Sequence, residues 1–276
     1  MKKLLFFDID GTLAYPQQVP PGSAVEAIRQ ARHRGHMAFI STGRTIDSIP
    51  EAVSRIGFDG GIFSAGGQVT MAEKVLFRFH MADSLLQKLL ARLRSMPVFY
   101  ALETADGRFH SENADEILRL SDLSGISESA MKLTNEILFD PGMRPMSEYG
   151  GQPAFKIAYH CPKGAARARL SAELEGLAKL VDYDNLLELP ISVGEISDPE
   201  VNKGNAIRAL CRHLGMTTAD CIAFGDSMND AEMLQTAGVG VAMGNASDAV
   251  KALADLVCDR CECDGIAKAL KKLNLI

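Results

Sequence analysis

The chain has 276 residues, 47% of them hydrophobic and 23% charged, with 29 Lys and Arg against 35 Asp and Glu, a net −6. That length carries one large domain or two smaller ones, and the acidic balance argues against a surface that coats nucleic acid. The first apolar run, Leu4–Phe7, stops at Asp8. It is shorter than the ~7–15 residues of a secretory segment, and no later run approaches the ~20 needed to span a bilayer. The cysteines Cys161, Cys211, Cys221, Cys258, Cys261 and Cys263 are too sparse for a disulfide scaffold. The expectation is a reduced, cytoplasmic protein.

In chain order, Leu4–Phe7 reads as a buried strand. Ser23 to Arg34 reads as a helix with Val25, Ile28 and Ala31 on one face, Ser23 and Glu26 spaced as a capping box, and Gly35 past its end. Met37–Ile40 and Gly61–Ser64 are the next strands. Beyond the middle of the chain, Asn202–Leu214 predicts a helix closed by Gly215, and Cys221–Phe224 and Val239–Met243 predict strands. Apolar runs alternating with amphipathic helices are the pattern of an α/β fold on a parallel sheet.

The middle differs. Asp83 is placed to cap a helix whose Leu86, Leu89, Leu90 and Leu93 face one way. Strand-like Val98–Glu103, Phe109, Phe155–His160 and Leu186–Leu189 then surround a helix over Ala165–Leu177, with turns at Asp106-Gly107, Asp140-Pro141-Gly142 and Gly150-Gly151. This predicts an α+β module over residues 83–189, inserted into an α/β core made of residues 1–82 and 190–276.

Ligands of an open parallel sheet bind beyond the carboxyl ends of its strands. Three predicted strands end there in polar residues: Asp8-Ile9-Asp10-Gly11-Thr12, Ser41-Thr42-Gly43-Arg44, and Gly225-Asp226-Ser227-Met228-Asn229-Asp230. Lys203, at the start of the preceding helix, can bring a cation to the same rim. Crowded carboxylates repel, and an all-oxygen cluster of them suits Mg²⁺ better than zinc. A carboxylate there can act as a nucleophile and form an acyl-phosphate. A second carboxylate two residues on points to the same side of an extended strand, where it can serve as general acid and base. Thr42, backbone N–H groups, Asn229 and Lys203 would meet the phosphoryl oxygens.

These three segments, with Lys203-Gly204 between the second and the last, resemble the four motifs of the haloacid dehalogenase superfamily. The likeness covers about Met1–Ala82 and Pro190–Ile276 and includes Val241–Ala246 and Asp264–Ala267. Only 28 residues separate Thr12 from Ser41, but 160 separate Thr42 from Lys203. The insertion therefore resembles the second (C2) type of cap, as in the Cof-like sugar-phosphate and cofactor phosphatases. The resemblance implies a Rossmann-like core with a specificity-setting α+β cap and a Mg²⁺-dependent phosphatase acting on small phosphorylated metabolites. It makes Asp8 the nucleophile and Asp10 the acid/base. Asp8, the backbone carbonyl of Asp10, and Asp226 would hold the metal, with Asp230 in or just behind that shell. Ile9 (through its backbone), Thr42, Gly43, Lys203 and Asn229 would bind phosphate. Arg44 would reach the substrate or brace the cap. Glu103, Lys156 and Glu188 are polar candidates within the cap.

Departures are Ser64-Ala65-Gly66-Gly67, where many relatives have Asn-Gly, and the cysteines 258, 261 and 263, which read as reduced loop thiols rather than a metal site. His33 and His36 read as complements of a helix dipole. The rival functions are phosphoryl transfer between sugar positions, as in phosphomannomutases, and a non-catalytic phospho-ligand sensor, which would have no need of Asp10. No nucleic-acid or membrane partner is expected, and the chain reads as a monomer or small homo-oligomer.

Overall fold

The computed structural model describes residues 1–15, 19–183 and 189–276. The predicted strand Leu186–Leu189 and the candidate Glu188 lie, wholly or mostly, outside them. The chain divides into two compact units, Met1–Phe79 with Glu200–Ile276, and His80–Pro199.

The first unit begins with β1 (Leu4–Phe7), α1 (Gly22–His33), β2 (Met37–Ser41), α2 (Glu51–Ser54), β3 (Gly60–Phe63), β4 (Gln68–Met71) and β5 (Lys74–Arg78). The second unit carries α3 (Asp83–Leu93), β6 (Phe99–Thr104), β7 (Gly107–His110), α4 (Ala114–Leu120), α5 (Glu128–Leu138), β8 (Met143–Pro145), β9 (Ala154–Pro162), α6 (Ala165–Leu174), β10 (Lys179–Asp182) and β11 (Ile191–Ser197). The first unit resumes with α7 (Lys203–Leu214), β12 (Cys221–Gly225), α8 (Ala231–Thr236), β13 (Val239–Ala242), α9 (Asp248–Lys251), β14 (Leu256–Val257) and α10 (Gly265–Lys272).

Among the described residues, the first unit's sheet runs β14-β13-β12-β1-β2-β3-β4-β5. It is parallel from β14 to β3 and closes with the antiparallel β4–β5 hairpin. A central strand covered on both faces reads as a continuous apolar run, and β1 does so. Leu5 and Phe7 pack with Ile28, Ala31, Ile266 and Leu270 of α1 and α10, while Leu4 and Phe6 pack with Ile207, Leu210, Met233 and Leu234 of α7 and α8. Because β1, β2 and β12 are parallel neighbours, Asp8, Thr42 and Asp226 all leave the sheet at one edge.

The second unit is a sheet ordered β10-β11-β9-β6-β7-β8. Leu86, Leu89, Leu90, Leu93, Leu170 and Leu174 of α3 and α6 cover Tyr100, Leu102, Ile157 and Tyr159 on one face. Ile117 and Leu138 of α4 and α5 pack with Phe99, Ile191 and Val193. The expected C-terminal edge at residue 189 falls ten residues short. Pro190 reads as punctuation, but Ile191–Ser197 pairs antiparallel with β9 and so belongs to this unit.

Several ends also differ from expectation. Pro21 occupies the N-cap of α1, so Ser23 lies inside the helix and its hydroxyl donates to Asp264 Oδ1 (2.5 Å) instead of closing a capping box. Ala82 caps α3 without a side-chain bond, and Asp83 is its first residue, where a carboxylate still meets the positive helix end. The strand β3 stops at Phe63 because Ser64 turns to φ 50°. α6 stops at Leu174, ahead of Gly176 at φ +68°. Among the described residues, no helix is long and apolar enough to cross a membrane.

Candidate active site

The turn after β1 is drawn tight by the Ile9 carbonyl, which accepts the N–H groups of Thr12 (3.2 Å), Leu13 (3.0 Å) and Ala14 (3.0 Å). This leaves Asp8, 4% exposed, at the strand tip and turns Thr12 toward the neighbouring strand, where its hydroxyl donates to Asp226 Oδ1 at 2.8 Å. Gly11 sits at φ +89°, and a Cβ there would fall 2.2 Å from Asp226 Oδ2. Glycine is therefore required twice, by the backbone and by the space.

After β12, Ser227 and Asp230 form a capping box. Asp230 Oδ2 accepts the N–H groups of Asp226 (3.0 Å) and Ser227 (3.1 Å). Its Oδ1 accepts a bond from Lys203 Nζ at 2.6 Å, and the same ammonium donates to Asp8 Oδ1 at 2.7 Å. Lys203 is the first residue of α7, whose N-cap Asn202 accepts from Asn205 N at 2.8 Å. A Cβ on Gly204 would come within 2.5 Å of the Glu232 carbonyl, so this glycine lets α7 lie close against α8. Asn229 Oδ1 accepts from Ser227 Oγ (2.7 Å) and stands 3.5 Å from Lys203 Nζ.

Asp8, Asp226 and Asp230 can each place a carboxylate oxygen within 4.8 Å of the others. Burial, and then the Asp230 charge, push the Asp8 carboxyl well above its ordinary range against the pull of Lys203. Burial and Asp230 also raise Asp226, to about 7, although the Thr12 hydroxyl opposes them. Burial alone would lower Lys203, but Asp230 and Asp8 override it and hold the ammonium charged. Three carboxylates around one ammonium remain short of positive charge. An all-oxygen donor set with this deficit fits a hard divalent cation such as Mg²⁺.

Asp10 does not join the trio through its side chain. Arg44 grips its carboxylate with two bonds, Nε to Oδ2 and Nη2 to Oδ1, both 2.7 Å, and this pairing raises the guanidinium pKa. Arg44, expected to touch substrate or brace the cap, holds the second aspartate here. Thr42, 1% exposed, leaves β2 beside the β1 turn, and its hydroxyl accepts the Arg44 N–H at 3.2 Å. Gly43 lies between them in the same turn.

Sequence reasoning assigned no role to Asn245. Its Nδ2 donates to the Gly11 carbonyl at 2.9 Å and stands 3.5 Å from Asp226 Oδ2. The available signal was an amide in Met243-Gly244-Asn245 directly after β13. The loop departing from Asn-Gly carries backbone strain, with Ser64 and Ala65 at φ 50° and 56°. Its Gly66, at φ +114°, lies against the Asn202 backbone, where a Cβ would meet the carbonyl at 2.4 Å. The three C-terminal cysteines turn to separate surroundings: Cys258 Sγ to Met243 Sδ (3.4 Å), Cys261 Sγ to Glu262 (3.4 Å), and Cys263 outward. Of the two histidines read as dipole partners, His33 closes the last turn of α1, and His36 Nδ1 accepts the Lys3 N–H at 3.0 Å.

The model of the haloacid dehalogenase-like hydrolases matches residues 5–270. An HMP-PP phosphatase of Yersinia pseudotuberculosis is 30% identical over 98% of this chain and 94% of its own. A 5-amino-6-(5-phospho-D-ribitylamino)uracil phosphatase of Bacillus subtilis is 26% identical over 98% and 94%. Among solved structures, the subclass IIB sugar phosphatase BT4131 superposes with a TM-score of 0.78 at 25% identity, each chain covered in full. The phosphatase BT1666 of Bacteroides thetaiotaomicron reaches 0.80 at 22% identity, over 100% of this chain and 96% of its own. A parallel sheet with a carboxylate trio at its tips and this match along nearly the whole chain define the class. The chain belongs to the haloacid dehalogenase-like hydrolases, in their Cof-like phosphatase branch. Within that branch it is a hydrolase acting on phosphoric monoester bonds.

Proposed function

We propose that the protein is a Mg²⁺-dependent phosphatase of small phosphorylated metabolites that works through an aspartyl-phosphate on Asp8. The observation that carries this reading is the Asp8 carboxylate at the tip of β1, in a trio with Asp226 and Asp230 and bonded to the Lys203 ammonium. Asp8, the Asp10 carbonyl and Asp226 would hold the cation, with Asp230 positioning Asp226 and Lys203. When bound, Mg²⁺ supplies positive charge to the phosphoryl oxygens and keeps Asp8 ionised.

An Asp8 oxygen attacks phosphorus, and the bond to the leaving oxygen breaks. Asp10 delivers a proton to that oxygen, then takes one from the water that hydrolyses the acyl-phosphate and releases inorganic phosphate. The Ile9 N–H, Thr42, Gly43, Lys203 and Asn229 bind the phosphoryl oxygens as their charge shifts. Arg44 sets where the Asp10 carboxyl stands between these two proton transfers. The inserted unit, His80–Pro199, is the part of the chain that would select among leaving groups.

With Mg²⁺ the purified protein should hydrolyse p-nitrophenyl phosphate, and EDTA or Asp8→Asn should abolish turnover. Activity retained in Asp8→Asn would sink the covalent route. Asp10→Asn should keep its thermal stabilisation by Mg²⁺ yet lose roughly 10²–10⁴ in kcat; undiminished kcat would remove the acid/base role.

A further inference from the structure

The helix α7 and the strand β12 follow one another in the chain. Gly215 ends the helix in the left-handed region, at φ 66°, and a short turn over Thr218–Asp220 leads straight into the strand. This tight return lays the end of α7 over the start of β12. Cys211 and Cys221 are buried together there, in the core cluster that also holds Leu4, Phe6 and Leu210.

The two sulfurs face each other at 3.2 Å, and Cys221 Sγ stands 3.7 Å from the Thr217 carbonyl. Carbon atoms that merely pack stand ~3.5–4.0 Å apart, and sulfur is larger than carbon. A buried cysteine otherwise serves as a small apolar residue, a role that does not ask for two sulfurs inside packing distance. About 1 Å of approach separates the pair from the ~2.05 Å of a disulfide bond. Their cover is thin. Arg212, His213, Gly215, Thr217 and Ala219 are all exposed, and the end of a helix opens more readily than its middle.

We propose that Cys211 and Cys221 are a modification site, a reversible disulfide that hydrogen peroxide forms in the folded protein and that ties α7 to β12. The hydrogen bond from Cys221 lowers the Cys211 thiol pKa, with burial opposing it, and the same contact followed by burial raises Cys221. Cys211 is therefore the sulfur that attacks first. Its thiolate takes one oxygen of the peroxide, the O–O bond breaks, and the departing hydroxide picks up a proton, leaving a sulfenic acid and water. Cys221 then gives up its proton, and its sulfur attacks Cys211 Sγ. The S–O bond breaks, a second water leaves with that proton, and the S–S bond forms. Two thiols lose two electrons in all, and one peroxide becomes two waters. Lys203 starts α7 and Asp226 directly follows β12, so the link fixes from their far ends the two elements that present these residues.

The test exposes the native protein to hydrogen peroxide, blocks the remaining thiols with N-ethylmaleimide in denaturant, and maps non-reduced tryptic peptides by mass spectrometry. Residues 209–212 and 213–251 form separate tryptic peptides with one cysteine each. They should appear joined, two hydrogens lighter than their sum, and should separate in dithiothreitol. Closing so short a loop restricts the unfolded chain, so the oxidised protein should melt about 5 °C above the reduced one. Cys211→Ser should show neither the joined peptide nor the rise in Tm, and the wild-type map stands whether or not that variant folds. Both cysteines recovered as alkylated thiols after peroxide, or either one recovered as a sulfinic acid or joined to a different cysteine, overturns the proposal. So does a link that forms only after unfolding in urea, or one that leaves Tm unchanged or lower.

Discussion

At Gly11 an added methyl group would press on Asp226, and the backbone there is already left-handed. Gly11→Ala should cost about 1–3 kcal/mol of stability and lose the rise in Tm produced by Mg²⁺, both read by thermal denaturation with and without MgCl₂. A full Mg²⁺ response would uncouple this turn from the metal site. Arg44→Met releases the two-bonded grip on Asp10 but leaves Asp8, Asp226 and Asp230 in place. It should lower kcat by about tenfold and keep the Mg²⁺-induced rise in Tm; an unchanged kcat would show that the grip does not matter in turnover. The residues proposed to carry the chemistry were offered by the sequence because each sits in a short motif at a predicted strand or helix end. Their mutual contacts could not. Arg44 reaches Asp10 across 34 positions, and Ser23 reaches Asp264 across 241. Such pairings depend on which strands become neighbours and on side-chain torsions, which spacing does not encode.

In the first unit β1, β2, β3, β12, β13, α1 and α7 were legible because a buried parallel strand and an amphipathic helix leave unlike hydrophobic periods. The short α2, α8, α9 and β14, the β4–β5 hairpin and α10 drew no reading. In the inserted unit the signal is weaker. The residues buried along α4 and α5 are Ala114, Ile117, Thr134 and Leu138, too sparse a stripe to announce two helices. β11 interrupts its apolar alternation with Gly194 and Glu195. That glycine is structural, because a Cβ would lie 2.1 Å from the Val181 carbonyl on β10. On the neighbouring strand β9, burial holds His160 down to about 4, below its ordinary 6.5. A lowered folded pKa means that the unfolded chain takes up the proton first. The stabilising contribution is complete above pH 6.5 and is lost as pH falls toward 4. Urea unfolding between pH 7 and pH 4.5 should show a decline on the order of 1–2 kcal/mol from this group. His160→Gln should flatten it, and a decline of the same size in the variant would assign the effect to other groups.

At the scale of the molecule, each unit has cores of its own, and the whole carboxylate trio belongs to the first. Calorimetry should therefore resolve two components, with Mg²⁺ raising the midpoint of one and leaving the other in place. A single transition displaced as a whole would mean that the units unfold together. The two-unit plan was legible from the long gap between Thr42 and Lys203. Its far edge was not, since a strand that returns to pair with β9 looks, residue by residue, like the start of the next segment.

The pairing of β1 with β12 also bears on how the protein is made. Residues 4–7 leave the ribosome more than two hundred residues ahead of their partner, Cys221–Phe224. At roughly 5–20 residues per second, that gap lasts on the order of ten seconds or more. During that time one edge of Leu4-Leu5-Phe6-Phe7 has no partner, and an apolar open edge invites association between nascent chains. The whole inserted unit is synthesised within this interval, so it is free to fold first. On the proposed mechanism, hydrolytic competence would then be acquired late in translation, when Asp226 and Asp230 emerge to join Asp8.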